Sequence, residues 1–237
     1  MTSIRKSALA AGVLYLITFA ASIPAVILLH PVLSNPNYVV SAGADTQVTA
    51  GAFLDLVNAL ACIGTAVALF PVVRRVSESL ALGFVASRVY EAAVIMIGVV
   101  SILAVVALRQ AGTTGGDPSA LIAVGRGLVA VRNATFLLGP GLAPAINALL
   151  LGTLLYRSRL VPRVIPSLAL IGAPLLLSAT IGTMFGVNQS VSAWTGIATL
   201  PIFLWELSVG LWMTFKGFRV STSTTAAPVM ATNAVAA

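Results

Sequence analysis

Long apolar stretches alternate with short polar connections along most of the chain. Six of these stretches continue for roughly 20 residues or more, which is the length that a helix needs to cross the hydrocarbon core of a bilayer. A helix is expected in each because it satisfies its own backbone hydrogen bonds in lipid. The pattern therefore predicts an all-α, polytopic integral membrane protein with six transmembrane helices. The predicted spans are 7–29, 51–73, 80–108, 134–156, 164–187 and 193–215.

The composition excludes a soluble globular domain. Of the 237 residues, 59% are hydrophobic and only 8% are charged, whereas about a quarter of the residues in a soluble domain are charged. The chain has one cysteine, Cys62, and one histidine, His30. One cysteine cannot form an internal disulfide, and one histidine cannot build a histidine-ligated metal site unless other residue types supply the remaining ligands. We therefore expect no cofactor and no metal centre.

Basic residues are distributed unevenly between the two ends of the predicted spans. When the connections are assigned alternately to the two sides, nine of the 13 Lys and Arg residues fall on one side. Because loops rich in Lys and Arg stay in the cytoplasm, the asymmetry predicts that both termini are cytoplasmic. The nine residues are Arg5, Lys6, Arg74, Arg75, Arg157, Arg159, Arg163, Lys216 and Arg219.

The formal net charge of +7 is also compatible with nucleic-acid binding. However, no basic run with interleaved aromatic residues lies outside the apolar segments, so membrane orientation explains the charge and we expect no nucleic-acid partner. The lipid bilayer is the predicted partner. The sequence leaves the oligomeric state open.

Four segments differ from a plain transmembrane pattern. Residues 30–50 are rich in Pro, Gly and Asn and are predicted to form a surface loop. Residues 113–131 are predicted to form a short interfacial helix that leads into the fourth span, with Arg126 and Arg132 reaching the headgroups. Residues 220–237 are uncharged and are predicted to be a disordered tail after a single domain, 1–219. The first span is alternatively a cleaved signal peptide, although its length favours a retained helix.

A series of motifs in fixed order runs through the predicted spans. The motifs are FPVVR at 70–74, LA at 80–81, SRVYEA at 87–92, LGTLLYRS at 151–158, PR at 162–163, LPIFLWEL at 200–207, LW at 211–212 and Gly217. Together they resemble the bacterial family of domain of unknown function 4386, over residues 4–219. The resemblance implies a six-span membrane fold and no particular activity. Family members carry other polar residues, such as histidine, near Asn147, and a glycine after the PR step, where this chain has Ile165 and Pro166.

Four polar residues inside the predicted spans lie at similar depth. Arg88 and Glu91 are three residues apart on the third span, so they share one helix face. With a rise of about 1.5 Å per residue, Glu206 and Glu91 lie roughly 14 and 16 Å from the inner ends of their spans. Asn147 on the fourth span lies level with them. The sequence therefore predicts one polar layer near the midplane, formed by Arg88, Glu91, Asn147 and Glu206.

The predicted layer supports two interpretations. Ionisable residues inside a membrane mark substrate and proton sites, which favours a small-solute or proton-coupled permease. Alternatively, the same charges are interhelical ion pairs of a structural or partner-regulating membrane subunit. Because one arginine faces two carboxylates, we assign Glu91 as the ionised partner of Arg88 and expect Glu206 to bind and release a proton.

Two further features lie in the outer halves of the predicted spans. Asp55 is near the outer end of the second span, where we expect Arg132 or Arg126 to neutralise it, so that Asp55→Asn costs little stability. The sequence GPG at 139–141 and Pro144 interrupt the fourth span. Such an interruption is either an ordinary kink or a broken helix of the kind that lines transporter sites.

Known catalytic motifs are absent from the chain. It contains no H-E-x-x-H, no G-x-S-x-G and no phosphate-binding glycine loop ending in Lys. An intramembrane enzyme would have to work with Asp and Glu alone. We therefore expect that the protein is not an enzyme.

Overall fold

The computed structural model describes residues 3–112, 117–189 and 191–219. In these ranges it contains six helical segments long and apolar enough to span a membrane, and no β-strand. The six-span, all-α prediction is therefore confirmed. The helices are α1 (Ser3–Ser34), α2 (Asp45–Val73), α3 (Glu78–Ala111), α4 (Pro118–Phe136), α5 (Ala143–Ser158), α6 (Val164–Met184) and α7 (Ala193–Phe215).

The connection between α1 and α2 is shorter than the loop predicted for residues 30–50. Helix α1 continues to Ser34 and α2 begins at Asp45, with one turn of 3-10 helix at Tyr38–Val40 between them. Pro31 lies inside α1 rather than ending it. Tyr38, in this turn, is buried and donates a hydrogen bond to Asp45 at the start of α2 (2.9 Å), which holds the short connection against the helix.

The helix predicted within residues 113–131 is present, and it leads without a break into the fourth span as one continuous segment. Helix α4 starts at Pro118 and passes through a π-helical segment, Leu137–Leu142, into α5, giving 41 residues in all. Asp117 caps α4 by accepting a hydrogen bond from the Ser119 backbone N–H (2.9 Å). A hydrogen bond from the Ser119 hydroxyl, together with this backbone bond, lowers the pKa of the exposed Asp117 carboxyl. Residues 113–116 and the predicted disordered tail, 220–237, lie outside the described residues.

The spans are arranged as a closed ring. Going around it, α3 packs against α2, α2 against α1, α1 against α7, α7 against α6, α6 against α5, and α5 back against α3. Small residues permit the closest contacts, as expected for helices in lipid. At the α1–α7 contact, a Cβ atom on Gly12 would lie 2.5 Å from the Thr214 backbone nitrogen. The ring brings α1, α3, α5 and α7 around one central volume, which is where the polar layer lies.

Candidate functional site

An ion-paired cluster lies on α3 in the interior of the bundle. The Arg88 guanidinium donates a hydrogen bond from Nη1 to Oε2 of Glu91, one helical turn away (2.8 Å). The side chains are 2% and 6% exposed, so both charges are removed from lipid and water. The second guanidinium nitrogen, Nη2, lies 3.7 Å from Oε1 of Glu206 on α7. That separation is an ionic contact rather than a hydrogen bond.

Asn147 joins the cluster from α5. Its Nδ2 donates a hydrogen bond to Glu91 Oε2, the same oxygen that binds Arg88 (2.7 Å). Glu91 therefore holds α3 and α5 together, whereas Glu206 touches the cluster through one longer contact. The structure brings the four residues of the predicted layer into one group, which we call the Arg88 cluster: Arg88, Glu91, Asn147 and Glu206.

Two residues that the sequence did not point to, on α1 and α2, also contact Arg88. Its guanidinium carbon lies 4.8 Å from the centre of the Tyr15 ring on α1, in a cation–π arrangement. On α2, the buried Cys62 accepts a long contact from Arg88 Nη1 (3.6 Å). Neither contact has a local sequence signal, because both depend on which helices become neighbours. In the described part of the chain, no three His, Cys, Asp or Glu side chains are grouped as a metal site requires.

A cavity of about 260 Å³ lies beside the cluster, between α1, the fourth span, α6 and α7. It extends from Thr195, near the start of α7, to Glu206, whose side chain is 17% exposed. Glu206 is the one ionisable side chain among its described lining residues. The rest of the lining is aromatic, aliphatic, hydroxyl or amide in character. These residues are Phe19, Asn133, Phe136, Leu137, Pro140, Gly141, Pro144, Leu176, Ala179, Thr180, Thr183, Thr195, Thr199, Ile202 and Phe203.

The interruption of the fourth span forms one wall of this cavity. The π-helical segment Leu137–Leu142 coincides with the GPG sequence at 139–141. Proline lacks a backbone N–H and displaces the preceding turn, so carbonyl groups lose their helical partners there. One of them, the Gly141 carbonyl, accepts a hydrogen bond from the Thr180 hydroxyl of α6 (2.9 Å). The broken helix thus lines a cavity that leads to Glu206.

A second buried ion pair lies apart from the Arg88 cluster. Arg132 Nη2 donates a hydrogen bond to Asp55 Oδ2 (2.9 Å), and both residues are 6% exposed. The Arg132 guanidinium also lies over the Phe136 ring (5.1 Å). Arg132 therefore faces Asp55, as one of the two sequence alternatives predicted. The expectation that Arg132 reaches the headgroups was wrong, because α4 is continuous with the span and turns this residue inward.

Arg126, the other candidate partner of Asp55, remains exposed on α4. It donates long hydrogen bonds to the Pro36 carbonyl (3.3 Å) and to Asn37 Oδ1 (3.4 Å). It therefore contacts the connection between α1 and α2 rather than Asp55.

A third charged group, which the sequence did not predict, lies at the ends of α2 and α3. Arg109 forms an ion pair with Asp45 and donates a hydrogen bond to the Ser41 carbonyl (2.9 Å). Tyr38 donates to the other carboxylate oxygen of Asp45. Burial, together with this hydrogen bond, raises the pKa of Tyr38 to about 12. These contacts fasten the short connection to the bundle.

Comparison with known proteins places the chain in a family. No curated protein sequence and no solved structure matches it. The family described as domain of unknown function (DUF4386) matches residues 10–217. This range includes all four residues of the Arg88 cluster and the lining of the cavity. The motif resemblance is thereby confirmed, and the chain belongs to the DUF4386 family of multi-pass membrane proteins.

Proposed function

We propose that the protein is a non-enzymatic, proton-coupled permease for a small solute in the bacterial cytoplasmic membrane. The observation that carries the proposal is the cavity that ends at Glu206. Ligand sites in transporters lie near the midplane, beside interrupted helices. Here the interrupted fourth span, the cavity and a carboxylate occur together.

The proton-binding group of this proposal is one of the two carboxylates of the Arg88 cluster. One arginine and two ionised carboxylates would carry a formal charge of −1. Arginine keeps its proton in proteins, so the excess is removed when one carboxylate binds a proton. Glu91 is hydrogen-bonded to Arg88 and Asn147. Glu206 has the longer 3.7 Å contact to Arg88 and faces the cavity, so it is the carboxylate that exchanges the proton.

The test is solute-driven proton movement in proteoliposomes that contain a pH-sensitive dye. Wild-type protein is challenged with a panel of anionic, neutral and cationic small solutes. We expect at least one class to move protons across the wild-type membrane, and Glu206→Gln to abolish that movement because glutamine cannot carry the proton. Glu78→Gln, at the exposed start of α3, is the matched control and should behave as wild type. If no solute in the panel moves protons or enters the vesicles, the permease proposal is wrong.

The second candidate function is a structural or partner-regulating membrane subunit. One observation favours it: Arg88, Glu91 and Asn147 are almost fully buried and tie α3 to α5. On this hypothesis Glu206 is part of the same interhelical polar contact. Proteoliposomes would then show no flux, and Glu206→Gln would destabilise the bundle.

The proposed orientation places both termini in the cytoplasm and the cavity in the outer half of the membrane. It is tested with membrane-impermeant thiol reagents on intact cells. Ser34→Cys, in the exposed end of α1, should be labelled from outside, whereas Ser3→Cys and Ser77→Cys should be protected. The wild-type chain is the control, because Cys62 is buried and should not react. Labelling of Ser3→Cys or Ser77→Cys from outside would reverse the orientation.

A further inference from the structure

The cavity beside Glu206 is lined by aromatic rings and by a carboxylate, and both kinds of group bind cations. Three phenyl rings line it, from Phe19 on α1, Phe136 on α4 and Phe203 on α7. The Phe19 and Phe203 rings pack edge to face, with their centres 5.2 Å apart. The Glu206 carboxylate is the one ionisable group among the described lining residues. Aromatic faces attract cations through their quadrupole, and quaternary ammonium groups are recognised in this way.

We propose that this cavity binds a compact organic cation, either a quaternary ammonium or a protonated amine with an apolar body, with its charge against Glu206. The proposal rests on the permease function and names the solute class. The cavity volume of about 260 Å³ is below the usual range of cavities that bind drug-sized ligands, which starts at about 300 Å³. A ligand with one small ring and a short ammonium group matches this space.

The charge balance excludes an anionic solute and gives a cation an advantage over a neutral one. With Glu91 and Glu206 both ionised against Arg88, the cluster has an excess of one negative charge. A monovalent cation in the cavity removes the excess, whereas an anion would double it in surroundings of low dielectric constant. A neutral solute of the same shape fills the cavity but leaves the carboxylate without a counter-ion.

The same balance makes the cation and a proton compete for Glu206. The charged groups that face Glu206 are Arg88 and Glu91 of α3, and these two form their own hydrogen-bonded pair. Tyr15 of α1 and Cys62 of α2, which contact Arg88, are uncharged at neutral pH. A proton that leaves Glu206 makes room for one positive charge, and a proton that returns expels it. The exchange is therefore one proton for one monovalent cation, and it leaves the net charge of the cluster unchanged.

The experiment measures equilibrium binding of radiolabelled benzyltrimethylammonium to the full-length protein purified in detergent. We expect saturable binding, weaker at acidic pH, and no displacement by neopentylbenzene, the neutral molecule of the same shape. Glu206→Gln should weaken binding by about thirty-fold or more, because it removes the charged partner of a desolvated cation. Glu78→Gln should bind as wild type does.

A second variant covers the case in which Glu206→Gln fails to fold. Thr199→Phe keeps Glu206 but adds a ring inside the cavity, so it should also abolish binding while the thermal unfolding of the protein remains cooperative. Binding that survives both variants, that does not depend on pH, or that neopentylbenzene displaces equally well overturns the proposal. If benzyltrimethylammonium does not bind but another class moves protons in proteoliposomes, this inference is wrong and the permease function stands. If it binds at Glu206 but nothing is transported, the site stands and the permease function is wrong.

Discussion

Among the residues that the structure describes, the bundle buries two ion-paired groups, which differ in their charge balance and in their surroundings. Asp55 and Arg132 are one acid and one base, 2.9 Å apart and both enclosed. The Arg88 cluster has one base and two acids, and its second acid, Glu206, faces a cavity. A balanced, enclosed pair needs nothing further to remain neutral. A cluster with an excess carboxylate at a cavity becomes neutral by taking up a proton or a cation. The proposed function therefore rests on this difference, with Asp55 and Arg132 as a structural pair and Glu206 as the proposed binding group.

Their positions in the fold explain the difference. Asp55 on α2 and Arg132 on α4 meet where the continuous fourth span turns its arginine inward. Glu206 lies where the same span is interrupted by its π-helical segment, and the interruption leaves space between α6, α7 and α1. The regular helical part of the fourth span therefore encloses the Asp55–Arg132 pair. Its π-helical part borders the cavity to which Glu206 is exposed.

The largest effect should come from removing both carboxylates of the Arg88 cluster. Glu91→Gln combined with Glu206→Gln leaves a permanent cation among apolar helices, because Arg88 cannot release its proton. We expect a loss of about 3 to 5 kcal/mol in the free energy of unfolding, the range seen when one partner of a buried pair is removed. Thermal unfolding in detergent measures it.

Arg88→Met is the comparison variant for this loss. It leaves two carboxylates that can bind protons and become neutral, so it should be less damaging than the double substitution. If Arg88→Met is the more destabilising of the two, the cluster does not depend on compensation of the arginine charge.

An intermediate effect is expected for Asp55→Asn. The sequence predicted a small cost from a position near the membrane surface, but Asp55 and Arg132 are both buried, so we revise that expectation upward. The asparagine oxygen can still accept the Arg132 hydrogen bond, whereas the charge is no longer balanced. We expect a loss of about 2 kcal/mol in the free energy of unfolding.

The control replaces the whole pair, with Asp55→Leu and Arg132→Met in one chain. Replacing a buried ion pair by apolar residues of similar size is often neutral. This double variant should therefore unfold near the wild-type temperature and keep cation binding. A loss of binding here would show that Asp55 and Arg132 belong to the site, and the contrast between the two groups would fail.

The sequence predicted the spans and the polar layer because both follow from local rules. Hydropathy gives six helices, and the rise per residue gives the shared depth of Glu91 and Glu206. It did not predict Tyr15 under Arg88, or the cavity, since these depend on which spans are neighbours in the ring. The sequence offered Arg132 and Arg126 as alternative partners of Asp55. It could not choose between them, because the choice depends on how the continuous helix through α4 faces α2.

The smallest stability effect should come from Glu206→Gln alone. Comparison with Glu91→Gln distinguishes the two carboxylates that face Arg88. Glu91 accepts hydrogen bonds from Arg88 and Asn147, so Glu91→Gln removes a charge from the centre of the cluster and should cost several times more stability. Glu206 is 3.7 Å from Arg88 and its side chain is partly exposed to the cavity. Its replacement leaves Arg88 paired with Glu91, so we expect a loss below about 1 kcal/mol, as for a weak ion pair. Both variants are measured by thermal unfolding in the same detergent. If Glu206→Gln is as unstable as the double substitution, then Glu206 is the structural partner of Arg88, and its proposed role in binding a proton or a cation is wrong.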